Sequence, residues 1–288
     1  MTSSTLIQSP TRATGLVTSR AGRSAVVTGF VGLYVAIGLA LGLGPIQYLL
    51  LGVPLTIAFQ LLVARRPIHQ LWLLDARPFR LGRRGVAIAV ALAIVPALSL
   101  VAGVAAGDPW SIAYAAVAAV GAIPAGYAIG AMDARARRAL LLSLLTAGLL
   151  ASVYFIVSGL MTNGAMVLAN VPAVMLLGLV AFVQYIPVTF VLEEVTFRGA
   201  LDTYARGPML ENDRRSAVLV SALWGFWHLP VEIAAGGIAL LPWLVLFHGV
   251  LGVLLTVPWR RSGNLAVPGI THALADGVRD AVFGIAAI

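Results

Sequence analysis

Two adjacent carboxylates, Glu193 and Glu194, end a run that is almost wholly apolar from Met166 onward, and Arg198 follows four residues after the second. A charge at the centre of a membrane helix costs roughly 2.5–3.5 kcal/mol on insertion scales, so two side by side imply chemistry or transport. Helical spacing divides their work. Glu194 and Arg198 are i,i+4 with the acid first, the favoured orientation for an ion pair. Glu193 lies about 100° round the helix from Glu194 and faces a sector with no local cation. A carboxylate held out of water without a counter-ion suits general-base chemistry near neutral pH.

The other ionisable residues within apolar segments are His228, His248, His272, Asp276, Arg279 and Asp280, all in the C-terminal part of the chain. His272 and Asp276 are i,i+4 and share one helix face. Depth is consistent across three helices. Glu193 precedes Arg198 by about 7–8 Å of helix rise, while His272 and His228 lie about 13 and 18 Å inside the polar ends of theirs. Glu193, His228, His272 and Asp276 are therefore the candidate catalytic set, with Glu194 and Arg198 in support. His248 reads as a packing residue, and Arg279 and Asp280 as solvated groups near the outer end of their helix. Glu193, His228 and His272 would also make a His/His/carboxylate zinc site with an open position for water. The His-Glu-x-x-His signature is absent. The preferred reading is metal-free, with zinc kept as the alternative.

The elements that must position these residues follow from composition. The chain is 60% hydrophobic and 10% charged, with a mean hydropathy of +0.97; a soluble domain carries about 25% charged residues. The expected fold is all-α, a polytopic membrane bundle of about eight or nine transmembrane helices. Apolar runs of spanning length fall near 25–44, 45–63, 86–106, 111–132, 139–160 and 166 to the acidic motif, then 216–229, 238–257 and 265–288. Residues 1–23 read as a disordered cytoplasmic tail and 24–288 as one transmembrane domain, with the chemistry at about 170–285. The basic segment 64–85 is expected on the membrane surface with Trp72 at the interface, and a turn is expected at 161–164. The net charge of +8 is carried by arginine alone, because lysine is absent. With the N-terminus inside, every arginine except Arg279 falls on the inner side, a positive-inside pattern. The expected location is a bacterial plasma membrane, with the N-terminus cytoplasmic and the site open to the cytoplasm. The lack of cysteine excludes disulfides, thiolate metal sites and a cysteine nucleophile. No nucleic-acid motif, phosphate loop or dinucleotide fingerprint is present, so nucleic acid is not an expected partner; the lipid bilayer is. Oligomeric state is not legible.

At these residues the sequence resembles the CAAX-prenyl-protease and bacteriocin-processing intramembrane endopeptidases, the Abi or type II CAAX protease family. Glu193, Glu194 and Arg198 match its Glu-Glu-x-x-x-Arg motif. His228 matches the histidine of Phe-x-x-x-His, with Trp224 in place of the phenylalanine. His272 and Asp276 match His-x-x-x-Asn, a motif that also takes Asp. The resemblance implies hydrolysis of peptide bonds in membrane-associated or CAAX-like peptide or protein substrates. Glu193 and His228 would activate water, His272 and Asp276 would stabilise the oxyanion, and Glu194 and Arg198 would hold the first helix. Two other readings stay open. One is a catalytically idle scaffold or bacteriocin-immunity factor. The other is a proton-coupled transporter, against which stands the lack of an inverted repeat.

Overall fold

The computed structural model describes residues 19–74, 78–207, 213–234 and 237–284. Most of the expected N-terminal tail lies outside them, and its last residues belong to a helix that begins at Arg20. The elements are α1 (Arg20–Ala40), α2 (Pro45–Val63), α3 (Arg83–Ala106), α4 (Pro109–Gly130), α5 (Ala134–Ala169) and α6 (Val171–Thr189). They continue with α7 (Val195–Asp202), α8 (Arg214–Trp227), α9 (Leu241–Ser262) and α10 (Ala266–Gly284). Eight of the described helical stretches are long and apolar enough to cross a membrane. With no strand among the described residues, the protein is an all-α polytopic bundle. Leu98, Leu168 and Met175 are 65%, 69% and 70% exposed. A surface that leaves such side chains bare suits lipid, which makes this an integral membrane protein.

Local chemistry sets the helix ends. Asp108 and Asp133 are N-caps, accepting from the backbone N–H of Trp110 and Ala136. Pro45 and Pro109 open α2 and α4 at positions whose N–H has no helical partner. The antiparallel pair α3–α4 packs backbone to backbone: a Cβ on Gly126 would sit 2.4 Å from the Gly85 carbonyl oxygen. Small residues give such close approach where no hydrophobic effect drives helix pairing.

Two sequence expectations give way. The turn at 161–164 is a kink: α5 runs on to Ala169, and within it only Asn163 leaves helical geometry (φ −127°, ψ 22°). In hydrocarbon the backbone must satisfy its own hydrogen bonds, so a bent helix costs less than an open turn. The sixth span does not carry the acidic motif either. α6 ends at Thr189, two residues past Pro187, whose missing N–H weakens the ladder. The chain breaks over residues 190–192, and the motif opens a new helix, α7, of π type with every residue buried. Within the basic segment, the stretch around Leu71 packs against the break while Arg65, Phe79 and Arg80 stay exposed. Leu71 and Leu73 are 2% and 6% exposed, and the Trp72 indole N–H donates to the Phe190 carbonyl at 2.8 Å, capturing an acceptor freed at the break. A Cβ on Gly199 would lie 2.4 Å from the Leu71 carbonyl oxygen, so glycine lets α7 lie on this segment.

Two further ties hold the frame. Arg260 of α9 is ion-paired with Asp202 at the end of α7, and it also donates to the Asp213 carbonyl at the N-cap of α8 and to the Ser216 hydroxyl in its first turn. Deeper in, Tyr34 of α1 donates to the Tyr48 carbonyl at 2.8 Å, and Tyr48 of α2 donates to the Trp227 carbonyl at 2.9 Å. The rings of Tyr48 and Trp227 stack at 5.2 Å. Thus α1 and α2 brace α8, the helix that presents His228.

Candidate active site

Glu194 and Arg198 form the expected i,i+4 pair, with Arg198 Nη1 donating to Glu194 Oε1 at 2.9 Å and both side chains buried. The same oxygen lies 3.0 Å from Nδ1 of His272 on α10. His272 Nε2 lies 3.3 Å from Asp276 Oδ2. Both ring nitrogens of His272 therefore face carboxylate oxygens. A neutral imidazole donates from one nitrogen only, so serving both acceptors takes the imidazolium.

Trp224 stands at the centre. Its side chain is fully buried, and its indole N–H donates to Glu193 Oε2 at 2.9 Å. Glu193 itself is half-buried. The Arg198 guanidinium lies 4.2 Å from the indole centroid, a cation–π contact. His272 and His248 meet the indole edge-on at 5.0 and 4.5 Å. His228 caps the end of α8, and its Nδ1 is 2.9 Å from the Trp224 carbonyl oxygen. A carbonyl only accepts, so the Nδ1 carries the hydrogen and Nε2 keeps a free lone pair. One residue thus touches Glu193 through its indole and His228 through its backbone.

His248, read from sequence as packing, belongs to this cluster. Its ring lies 4.2 Å from that of His228, and its Nδ1 is 2.8 Å from the Leu244 carbonyl oxygen. The only sequence signal was a histidine within the apolar α9. Arg279 and Asp280 are partly open to solvent, with side chains 39% and 40% exposed. Arg279 also donates to Asp276 Oδ1 at 2.7 Å and to Asp280 Oδ1 at 2.9 Å, so it joins the charged set as well.

The sequence set is therefore brought together as two linked groups. Glu194, Arg198, His272 and Asp276 form one ionic chain. Glu193 and His228 meet through Trp224. Of the residues of the zinc alternative, Glu193 and His228 keep free lone pairs, while both nitrogens of His272 are turned to carboxylates. Among the described residues no group of three or more His, Asp or Glu is arranged as a metal site.

Next to the break that starts the motif, Phe190, Val191 and Val195 line an apolar cavity of about 290 Å³ with Trp72, Leu71 and Val120. Sequence neighbours of Glu193 on both sides thus border a space suited to an apolar side chain or lipid chain.

Residues 175–278 match the family described as type II CAAX prenyl endopeptidase, Rce1-like. No curated protein and no solved structure matches the chain. The matched segment holds Glu193, Glu194, Arg198, Trp224, His228, His248, His272 and Asp276, the whole cluster apart from Arg279 and Asp280. Over that segment, which is less than half of the chain, the protein is similar to the Rce1-like type II CAAX prenyl endopeptidases.

Proposed function

We propose that the protein is an intramembrane endopeptidase in which Glu193 is the general base. The observation that carries this reading is the state of Glu193: among the described residues this half-buried carboxylate is held by one neutral donor, the Trp224 indole, with no cation paired to it. Every other acid of the cluster is paired with a cation, so Glu193 is the one free to take a proton.

The proposed chemistry needs no residue outside the cluster. Water lies between Glu193 and His228 Nε2. Glu193 removes a proton as the oxygen attacks the scissile carbonyl carbon, and the carbonyl electron pair moves to its oxygen. His272 supplies positive charge to that oxyanion through Nε2–H, the more loosely held of its two donors at 3.3 Å from Asp276. As the intermediate collapses, the C–N bond breaks and the amine leaves with the proton returned by Glu193. Glu194 and Arg198 hold α7 and fix the His272 ring. The apolar cavity beside the motif would take an apolar side chain or lipid chain of a membrane-associated substrate.

The reaction class is tested with the purified protein in liposomes containing an apolar peptide library, in oxygen-18 water. One oxygen-18 atom is expected in each newly formed C-terminal carboxylate. Absence of any cleavage product in a protein shown to be folded would leave the idle-scaffold reading standing.

A further inference from the structure

Four ionisable residues of α10 fall on one stripe: His272, Asp276, Arg279 and Asp280 are at i, i+4, i+7 and i+8. Their contacts continue the ionic chain without a gap. It runs from Arg198 to Glu194 (2.9 Å), to His272 (3.0 Å), to Asp276 (3.3 Å) and to Arg279 (2.7 Å). Arg279 then donates to Asp280 at 2.9 Å and, through Nη2, to the Tyr185 hydroxyl at 3.0 Å, while that hydroxyl donates to Asp280 Oδ2 at 2.9 Å. Cations and anions alternate, and the chain links α7, α10 and α6.

We infer that Arg279 is a positioning residue for the reaction: it is the counter-ion that allows a carboxylate at position 276 and, through Asp276, sets His272. The inference rests on the proteolytic reading above. Arg279 takes one oxygen of Asp276 and leaves the other for His272, so the Asp276–His272 contact stays long. Without the guanidinium, the whole charge of Asp276 falls on His272 and draws its Nε2–H away from a substrate oxyanion. The cluster would also gain an unbalanced negative charge within the bilayer, which is costly. Asp280 and Tyr185 complete the setting by fixing the Arg279 plane. The side chain of Arg279 is 39% exposed and borders a cavity of about 670 Å³, so an uncharged replacement leaves no packing hole.

A purely structural role would attach Arg279 to Asp280 and leave Asp276 unaffected. The test compares wild type, Arg279→Met, Arg279→Lys, Asp276→Asn and the double variant Asp276→Asn/Arg279→Met. Peptide turnover and thermal midpoint are read for each in liposomes, with Glu193→Gln as the inactive reference. Arg279→Met is expected to lower kcat about tenfold or more at a KM within about threefold, and Arg279→Lys to recover part of it. In the Asp276→Asn background, where a neutral amide needs no counter-ion, removing Arg279 is expected to cost about twofold at most. An equal loss in both backgrounds, or no loss in the wild type, would overturn the inference. Should Arg279→Met not fold, recovery of folded protein in the double variant supports the coupling, and failure to recover overturns it. If wild type and Glu193→Gln do not differ in turnover, the proteolytic reading fails, while the coupling is still read from the midpoints.

Discussion

At the scale of the residue, Trp224 decides how Glu193 is used. A neutral indole N–H orients the carboxylate without lending it a cation, whereas Glu194 accepts from Arg198 and faces His272. Trp224→Phe keeps a ring between His248, His272 and Arg198 and removes only the donor. A hydrogen bond to a charged group contributes about 1.5–3 kcal/mol. The substitution is expected to lower kcat about ten- to hundredfold with little change in KM, measured as initial rates of peptide cleavage. An unchanged kcat would mean that the indole does not hold Glu193. Much of this set was legible in the sequence. The pairs Glu194–Arg198 and His272–Asp276 follow from i,i+4 spacing, which the helix backbone imposes wherever it forms. The contacts of Trp224 with Glu193 and of His248 with His228 join different helices. They depend on how those helices are rotated, and no spacing within one segment encodes that. The pairing of Arg279 with Asp276 was missed for a simpler reason: counting from the end of a helix gives depth and not partners, although i,i+3 spacing offered the contact.

At the scale of the element, the break after α6 turns an ordinary span into a site. Had α6 run on through residues 190–192, the motif would project from a long straight helix. As it is, α7 starts afresh at the acids and lies buried on the segment around Leu71. The apolar runs locate the helices well, since hydrocarbon thickness sets their length. They do not locate the break, because the groups that make it affordable, such as the Trp72 indole on the Phe190 carbonyl, come from far along the chain. The far end of α7 is held by Asp202 and Arg260. Breaking a buried ion pair by removing one partner costs about 3–5 kcal/mol, because the other charge stays buried. Asp202→Ala should therefore lower the thermal midpoint clearly and reduce activity in proportion to the folded fraction. A midpoint equal to that of the wild type would show that Arg260 is satisfied by Asp213 and Ser216 alone.

At the scale of the whole molecule, the chain divides its labour. α3, α4 and α5 present apolar faces to lipid, α1 and α2 brace α8 through Tyr34, Tyr48 and Trp227, and α7 to α10 carry the charges. Among the described acids around Trp224 and along α10, Glu194, Asp276 and Asp280 are each matched by a cation. Glu193 is the exception, and the account depends on that exception being the working group. The measurement that tests it most directly is the turnover of a membrane-inserted peptide by purified wild type and Glu193→Gln, reconstituted side by side at equal folded content. General-base catalysis contributes about 10²–10⁴-fold, and the variant is expected to lose at least the lower figure in kcat at an unchanged thermal midpoint. Equal rates for the two proteins would contradict the assignment of Glu193 as the base.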